Sequence, residues 1–158
     1  MSDKYLLIIP CSKRKVGLPG AKIPAKDLYD GPFYRIIRRA FRENGHPEQL
    51  DVLILSAKYG LISSHDLIEN YDKKMTPYRA MELSDSIREK LLCYFNDNHY
   101  REIFVNLGKS YIPALDNCID IFKNRNVTYA SGMIGERMQQ LKIWMNNILN
   151  RINDDTVG

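Results

Sequence analysis

Four short apolar runs punctuate the chain, and each gives way to a polar turn and then to an amphipathic stretch. Residues 5–9 (YLLII), 51–56 (DVLILS) and 102–107 (EIFVNL) are nearly continuous in apolar side chains, and 127–130 is a shorter run of the same kind. Runs of this length predict strands buried on both faces, as in a parallel sheet. Phe33, Ile36, Ile37, Ala40 and Phe41 recur at i, i+3, i+4, i+7 and i+8, which is one face of a helix that Asn44-Gly45 ends. Thr76-Pro77 supplies a cap and a first-turn proline for a second helix with Ile87, Leu91 and Phe95 on its stripe. Gly108-Lys109-Ser110 turns into a third, with Ile112, Leu115, Ile119 and Phe122 inward. Ser131-Gly132 turns into a fourth, with Ile134, Met138, Leu141, Met145 and Ile148 inward. Residues 16–32 and 57–76 show no period and read as loops.

Strict alternation of strand and helix predicts a three-layer α/β/α fold around a mainly parallel four-stranded sheet. No repeat, linker or low-complexity tract divides the chain. One domain over residues 1–150 follows, with a polar tail over 151–158 expected to fray.

The length of 158 residues suffices for a real core, and 44% hydrophobic with 27% charged residues is ordinary for a globular domain. The net charge of +4 permits an anionic partner without requiring one. Three cysteines with no CxxC pair argue against a disulfide framework or a thiolate zinc site, so a reducing cytoplasm is expected. His46, His65 and His99 lack metal-ligand spacing, and neither HExxH nor GxSxG occurs. No metal or cofactor is therefore expected. No apolar run approaches the length of a membrane span, so no membrane association is expected either.

Ligands of open α/β sheets bind outside the carboxyl ends of the strands. Cys11, Ser12, Lys13 and Lys15 follow the first strand in "IIPCSKRK". Ser56, Lys58, Tyr59 and Gly60 follow the second. Gly108, Lys109 and Ser110 follow the third, and Ser131 follows the fourth. Ammonium groups gathered on one rim repel each other unless an anion joins them, so a phosphate, a nucleotide or a nucleic-acid backbone is the expected ligand. Gly108-Lys109-Ser110 is not a P-loop, because Ile103 occupies the position that needs the first glycine. Cys11 beside cations suits a nucleophile, and it equally suits a small apolar filler at a strand end. Lys13 or Lys58 would serve as an amine nucleophile if desolvated. Asp66, Glu69 and Asp72 in "HDLIENYD" are candidates for a general base. Tyr29, Tyr59, Tyr71 and Tyr111 stand in or beside loops, where rings can stack on a base. Gly60 after Lys58-Tyr59 suggests either a positive φ or close approach of a ligand.

"PCSKRK", "AKDLYDGPFYRIIRR", "LSAKYGLIS" and "IENYD" occur in that order. Together they resemble an uncharacterised domain family of bacteria, archaea and phages, and "GMIGERMQQL" is similar to that family's closing helix. The resemblance spans roughly residues 5–145. Its motif positions fall here on Cys11, Ser12, Lys13, Asp27, Tyr29, Ser56, Lys58, Tyr59, Gly60, Tyr71 and Asp72. More distantly, the Pro-Cys-Ser-Lys turn looks like a segment of the catalytic domain of archaeosine synthase, a tRNA-modifying enzyme similar in fold to uracil-DNA glycosylases. This likeness implies a uracil-DNA-glycosylase-like fold, a nucleobase pocket and a lysine nucleophile. The chain departs from that enzyme after Lys15, where Val16 and Gly17 replace a Pro-Tyr continuation.

The expected function is accordingly an enzyme acting on a nucleotide, a nucleobase or a nucleic-acid base, through glycosidic-bond chemistry or base modification. Cys11, Ser12 and Lys13 would form one wall and Ser56 with Lys58 a second. Lys109 at a helix start would seat an anion, and Asp72 would be the acid–base group. The alternative is a non-catalytic nucleotide- or nucleic-acid-binding module. No obligate protein partner is implied.

Overall fold

Every residue from Tyr5 to Pro10 is buried, and that places β1 (Lys4–Pro10) in the middle of a five-stranded sheet. The structure, a computed structural model, describes residues 3–157. After β1 come β2 (Lys22–Pro24), α1 (Ala25–Leu28), α2 (Pro32–Asn44), β3 (Leu50–Ser56), β4 (Gly60–Ser63) and β5 (Leu67–Glu69). Then follow α3 (Pro77–Asp97), β6 (Tyr100–Val105), a 3₁₀ helix (Ile112–Cys118), α4 (Ile119–Phe122), β7 (Val127–Tyr129) and α5 (Ile134–Val157).

The sheet order is β4-β3-β1-β6-β7. β3 and β6 both run parallel to β1, and β7 runs parallel to β6. β4 is antiparallel to β3 and makes the sheet mixed, a correction to the four mainly parallel strands expected. The reason lies in the turn. Ala57–Tyr59 reverse the chain tightly, and Gly60, at φ 76°, pairs with Ser56 across the hairpin. Leu61 and Ile62 are both buried, so this strand lacks the alternation that would have marked it. A second small sheet pairs β2 with β5 inside the two segments read as loops.

From β1 the chain crosses over α2 to β3 on one side, and from β3 it crosses over α3 to β6 on the other. Crossovers of one hand that travel in opposite directions put their helices on opposite faces. α2 packs with α5, and α3 packs with the 3₁₀ helix. The apolar stripe of α3 is buried as expected at Ile87, Leu91 and Phe95, and Thr76 caps it by accepting from the Arg79 N–H at 3.1 Å.

One further expectation is corrected. The helix expected after Ser110 is mainly 3₁₀, and its buried residues Leu115, Cys118 and Ile121 follow a three-residue spacing. Ile112 and Ile119, expected inward, are exposed as a result. The stretch expected to fray is helical through Val157, with Ile152 buried, while Gly158 lies outside the described residues. No helix among the described residues is long and apolar enough to cross a membrane.

Candidate functional site

Between β1 and β6 the direction of the crossovers reverses, and the loops leaving those two strands diverge. In open α/β sheets this switch point is where a crevice forms. A cavity of about 470 Å³ lies there. Cys11 to Arg14 line it from the β1 exit, and Gly108 and Tyr111 line it from the β6 exit. The start of α2 (Gly31 to Arg35) and the start of α5 (Ile134 and Arg137) close it. The volume lies within the usual range for small-molecule sites, about 300–1,000 Å³.

Cys11 is held by the sheet, since its N–H donates to the Leu55 carbonyl at 3.0 Å. Its Sγ lies 3.2 Å from the Tyr111 hydroxyl, which also reaches the Cys11 carbonyl at 3.2 Å. Burial, before the nearby Cys11, pushes the Tyr111 phenol well up, so it stays neutral. Ser12 Oγ, also in the lining, donates to the Arg14 carbonyl at 2.6 Å. Lys13 and Arg14 are exposed at the mouth.

Arg137 is the group the sequence reading missed. Its Nη1 is buried and has no hydrogen-bond partner among the described residues. Burial lowers its pKa. The guanidinium carbon lies 5.5 Å from the centre of the Phe33 ring. Gly108 lies against it: a Cβ there would be in ordinary van der Waals contact, 3.5 Å from Nη2. Asn106 fixes the helix start by donating to the Arg137 carbonyl at 3.0 Å, while its own Oδ1 is buried without a partner. A signal existed in the sequence. Arg137 falls three residues after Ile134 and four before Leu141, a core-facing position of α5 where an apolar residue is expected. Ile134, expected inward, is instead 51% exposed at the cavity.

The one carboxylate lining the cavity is Asp30. Arg38 meets it at 2.5 Å, Arg14 at 3.1 Å and Arg35 at 3.6 Å. Burial would raise its pKa, but bonding and charge from Arg35, then Arg38 and Arg14, outweigh that and hold it below the usual carboxylate range.

Ser56, Tyr29 and Tyr71 form a second cluster beside the first. The Tyr71 hydroxyl lies 2.7 Å from that of Tyr29 and 2.9 Å from Ser56 Oγ. Ser56 Oγ also accepts from the N–H groups of Lys58 at 3.2 Å and Tyr59 at 3.0 Å. Burial is the main cause that pushes Tyr29 up to about 12, and Tyr71 is pushed up for the same reason. Lys15 Nζ sits 4.4 Å from the centre of the Tyr71 ring, and Lys58 Nζ sits 5.1 Å from the centre of the Tyr59 ring. Burial lowers the Lys15 pKa, against the opposing charges of Cys11 and Asp72.

The structure therefore brings Cys11, Ser12, Lys13 and Gly108 to one cavity. It gathers Tyr29, Ser56, Lys58, Tyr59 and Tyr71 in the neighbouring cluster. Asp72 is exposed and does not line the cavity. Asp27 lines a separate groove with α2 arginines. Gly60 serves the hairpin. Lys109 and Ser110 sit in a turn outside the cavity lining, and the N–H groups of Tyr111 and Ile112 there already donate to the Gly108 carbonyl. Among the described residues no cluster of His, Cys, Asp or Glu could hold a metal ion.

The switch-point crevice of this mixed α/β sheet thus holds a thiol, a phenol and a guanidinium. Residues 6–146 match the family of unknown function DUF6884, and the chain belongs to that family. Its fold is similar to that in the crystal structure of AF0587, a protein of unknown function, with a TM-score of 0.53 at 13% identity. That match covers 90% of this chain and 44% of the other protein's length. None of the curated proteins compared with the chain matches it.

Proposed function

We propose that this chain is an enzyme acting on a nucleotide, a nucleobase or a nucleic-acid base held in the switch-point cavity. Cys11 is the candidate nucleophile, Lys13 its amine counterpart at the mouth, and Arg137 the group that holds the substrate's anion. The observation that carries the reading is Arg137 itself: it lines a cavity that also contains a thiol, and one of its guanidinium nitrogens is buried with no partner among the described residues. Such a nitrogen is costly unless an acceptor meets it, and guanidinium geometry suits phosphate. Phe33, Tyr34 and Tyr111 supply flat apolar walls that suit a base. The reaction class, glycosidic-bond chemistry or base modification, follows from the likeness of the Cys-Ser-Lys turn to the archaeosine synthase domain and its uracil-DNA-glycosylase-like fold.

A non-catalytic binding module is the second reading, and one observation favours it. The cavity lining contains no histidine, and its one carboxylate is engaged by three arginines, so no free general base stands beside the thiol.

Thermal melting with a panel of nucleosides and nucleoside monophosphates, followed by product analysis, tests both. A monophosphate should raise the melting temperature of the wild type, as a ligand of the folded state must. Arg137→Ala should lose that shift, and Arg137→Lys should lose most of it. Cys11→Ser should keep the shift and lose turnover. A wild type whose melting no monophosphate moves overturns the site. Full turnover by Cys11→Ser removes the thiol from the mechanism.

A further inference from the structure

We propose that the Arg35–Arg38–Arg39–Arg42 face of α2 is a track for the phosphate backbone of a single-stranded polynucleotide whose base enters the cavity. This inference rests on the reading of that cavity as a nucleobase site, and it names the substrate class: a strand rather than a free nucleotide.

The four arginines fall at i, i+3, i+4 and i+7, so they share one side of the helix. The opposite side carries Phe33 and Ile37 into the core. From Arg35 to Arg42 the helix rises about 10 Å. Phosphates of one strand are spaced about 3.4 Å apart along a duplex axis, and farther when extended, so the row matches two or three of them.

The face is not neutralised from within. Asp30 is shared among Arg14, Arg35 and Arg38. Arg39 meets Glu43 only in an exposed pair at 3.4 Å, the kind that contributes little. Arg42 makes no ion pair among the described residues. Arg14, Lys26 and the four arginines stand against Asp27, Asp30 and Glu43. That surface alone holds a formal excess of three positive charges in a chain whose net charge is +4.

The surface is also continuous with the site. A groove of about 460 Å³ lined by Lys26, Arg35, Arg38 and Arg42 runs along one side of α2. A second, of about 590 Å³ and lined by Arg35 and Arg39, runs along the other. Arg35 lines both grooves and the cavity. The start of α2 therefore stands at the cavity, and its arginines lead away from it. A base stacked in a duplex could not enter a cavity closed by two helix starts, so the strand must be single or locally opened.

Fluorescence anisotropy with a labelled mixed-sequence 15-mer, as single-stranded DNA, single-stranded RNA and duplex, tests the track at 50 and 200 mM salt. The wild-type chain should bind a single strand at least tenfold more tightly than a mononucleotide, with affinity falling as salt rises. The DNA and RNA arms identify which strand is preferred. Arg42→Glu should weaken binding at least fivefold and Arg39→Glu/Arg42→Glu more than tenfold. Lys123→Glu, an equal charge reversal on an exposed residue elsewhere, should change it less than twofold. Arg39→Gln/Arg42→Gln covers the case in which the glutamate pair fails to fold. The mononucleotide melting shift should be unchanged in these α2 variants. The track is overturned if the α2 variants bind like Lys123→Glu, if the 15-mer binds no better than the mononucleotide, if the duplex binds better than the single strand, or if anionic vesicles compete as well as the strand. Loss of mononucleotide binding with strand binding intact overturns the cavity reading and leaves the track standing.

Discussion

Gly31 faces Ser12 so closely that a Cβ on the glycine would lie 2.7 Å from the Ser12 Cβ. Real contacts are never that short. Gly31 has φ −83°, which any residue adopts, so its constraint is space and not backbone conformation. The contact packs the Cys-Ser-Lys turn onto the start of α2 and sets the mouth of the cavity. Gly31→Ala should destabilise the fold by about 1–3 kcal/mol, as overpacking does. Ser12→Gly in the same chain should restore part of that loss. A double-mutant cycle in denaturant measures it, and simple additivity would show that the contact does not matter.

The buried phenols predict failure of the fold in alkali. Tyr29 is pushed up to about 12, chiefly by burial, against an ordinary value near 10. The unfolded chain then loses its proton first as pH rises. Stability contributed by this group is intact below about pH 10 and is lost between there and about 12, at roughly 1.4 kcal/mol per pH unit. Tyr29→Phe should flatten the decline of stability above pH 10 by about one proton. Equilibrium unfolding at pH 9 to 11 with tyrosinate absorbance checks both, and an unchanged slope would contradict it.

At the acid end Asp30 makes stability depend on pH. Its depressed pKa means that it contributes stability above the ordinary carboxylate range, and that the contribution disappears as pH falls through its folded value. Asp30→Asn should melt below the wild type at pH 7, because Arg14, Arg35 and Arg38 lose their shared acceptor. The two melting curves should converge as pH falls below the ordinary carboxylate range. A gap that persists unchanged would assign the loss to shape and not to charge.

Much of this was legible from pattern alone, and the omissions have physical causes. β1, β3 and β6 announced themselves because burial on both faces demands unbroken apolar runs. β4 did not, since Leu61 and Ile62 are two residues in a hairpin whose only marker is Gly60. The 3₁₀ helix was misread because Ile112, Leu115, Ile119 and Phe122 fit a 3.6-residue period by chance, while Pro113 and the burial of Cys118 and Ile121 favour a tighter one. For the site, the strand exits led to Cys11, Lys13 and Gly108, which line the cavity. Asp72, next to Tyr71 in the chain, is exposed and lies outside the cavity lining. Arg137 was invisible to a search among strand exits, since it arrives from a helix start on the opposite wall.

The three cysteines differ enough in setting to report on the cavity directly. Cys93 is exposed on α3, Cys11 is 9% exposed at the cavity, and Cys118 is fully buried. Burial, offset in part by Arg88 and reinforced by Asp120, raises Cys118 to about 11. At pH 8 its thiolate fraction is on the order of one in a thousand, before access is considered. Iodoacetamide in the native state should label Cys93 first and Cys11 second, and should reach Cys118 only on unfolding. A nucleotide that occupies the cavity should slow labelling of Cys11 severalfold and leave Cys93 unchanged. Peptide mass mapping over a time course resolves the three sites. Equal protection of Cys93, or none of Cys11 at saturating ligand, would place the ligand away from the thiol.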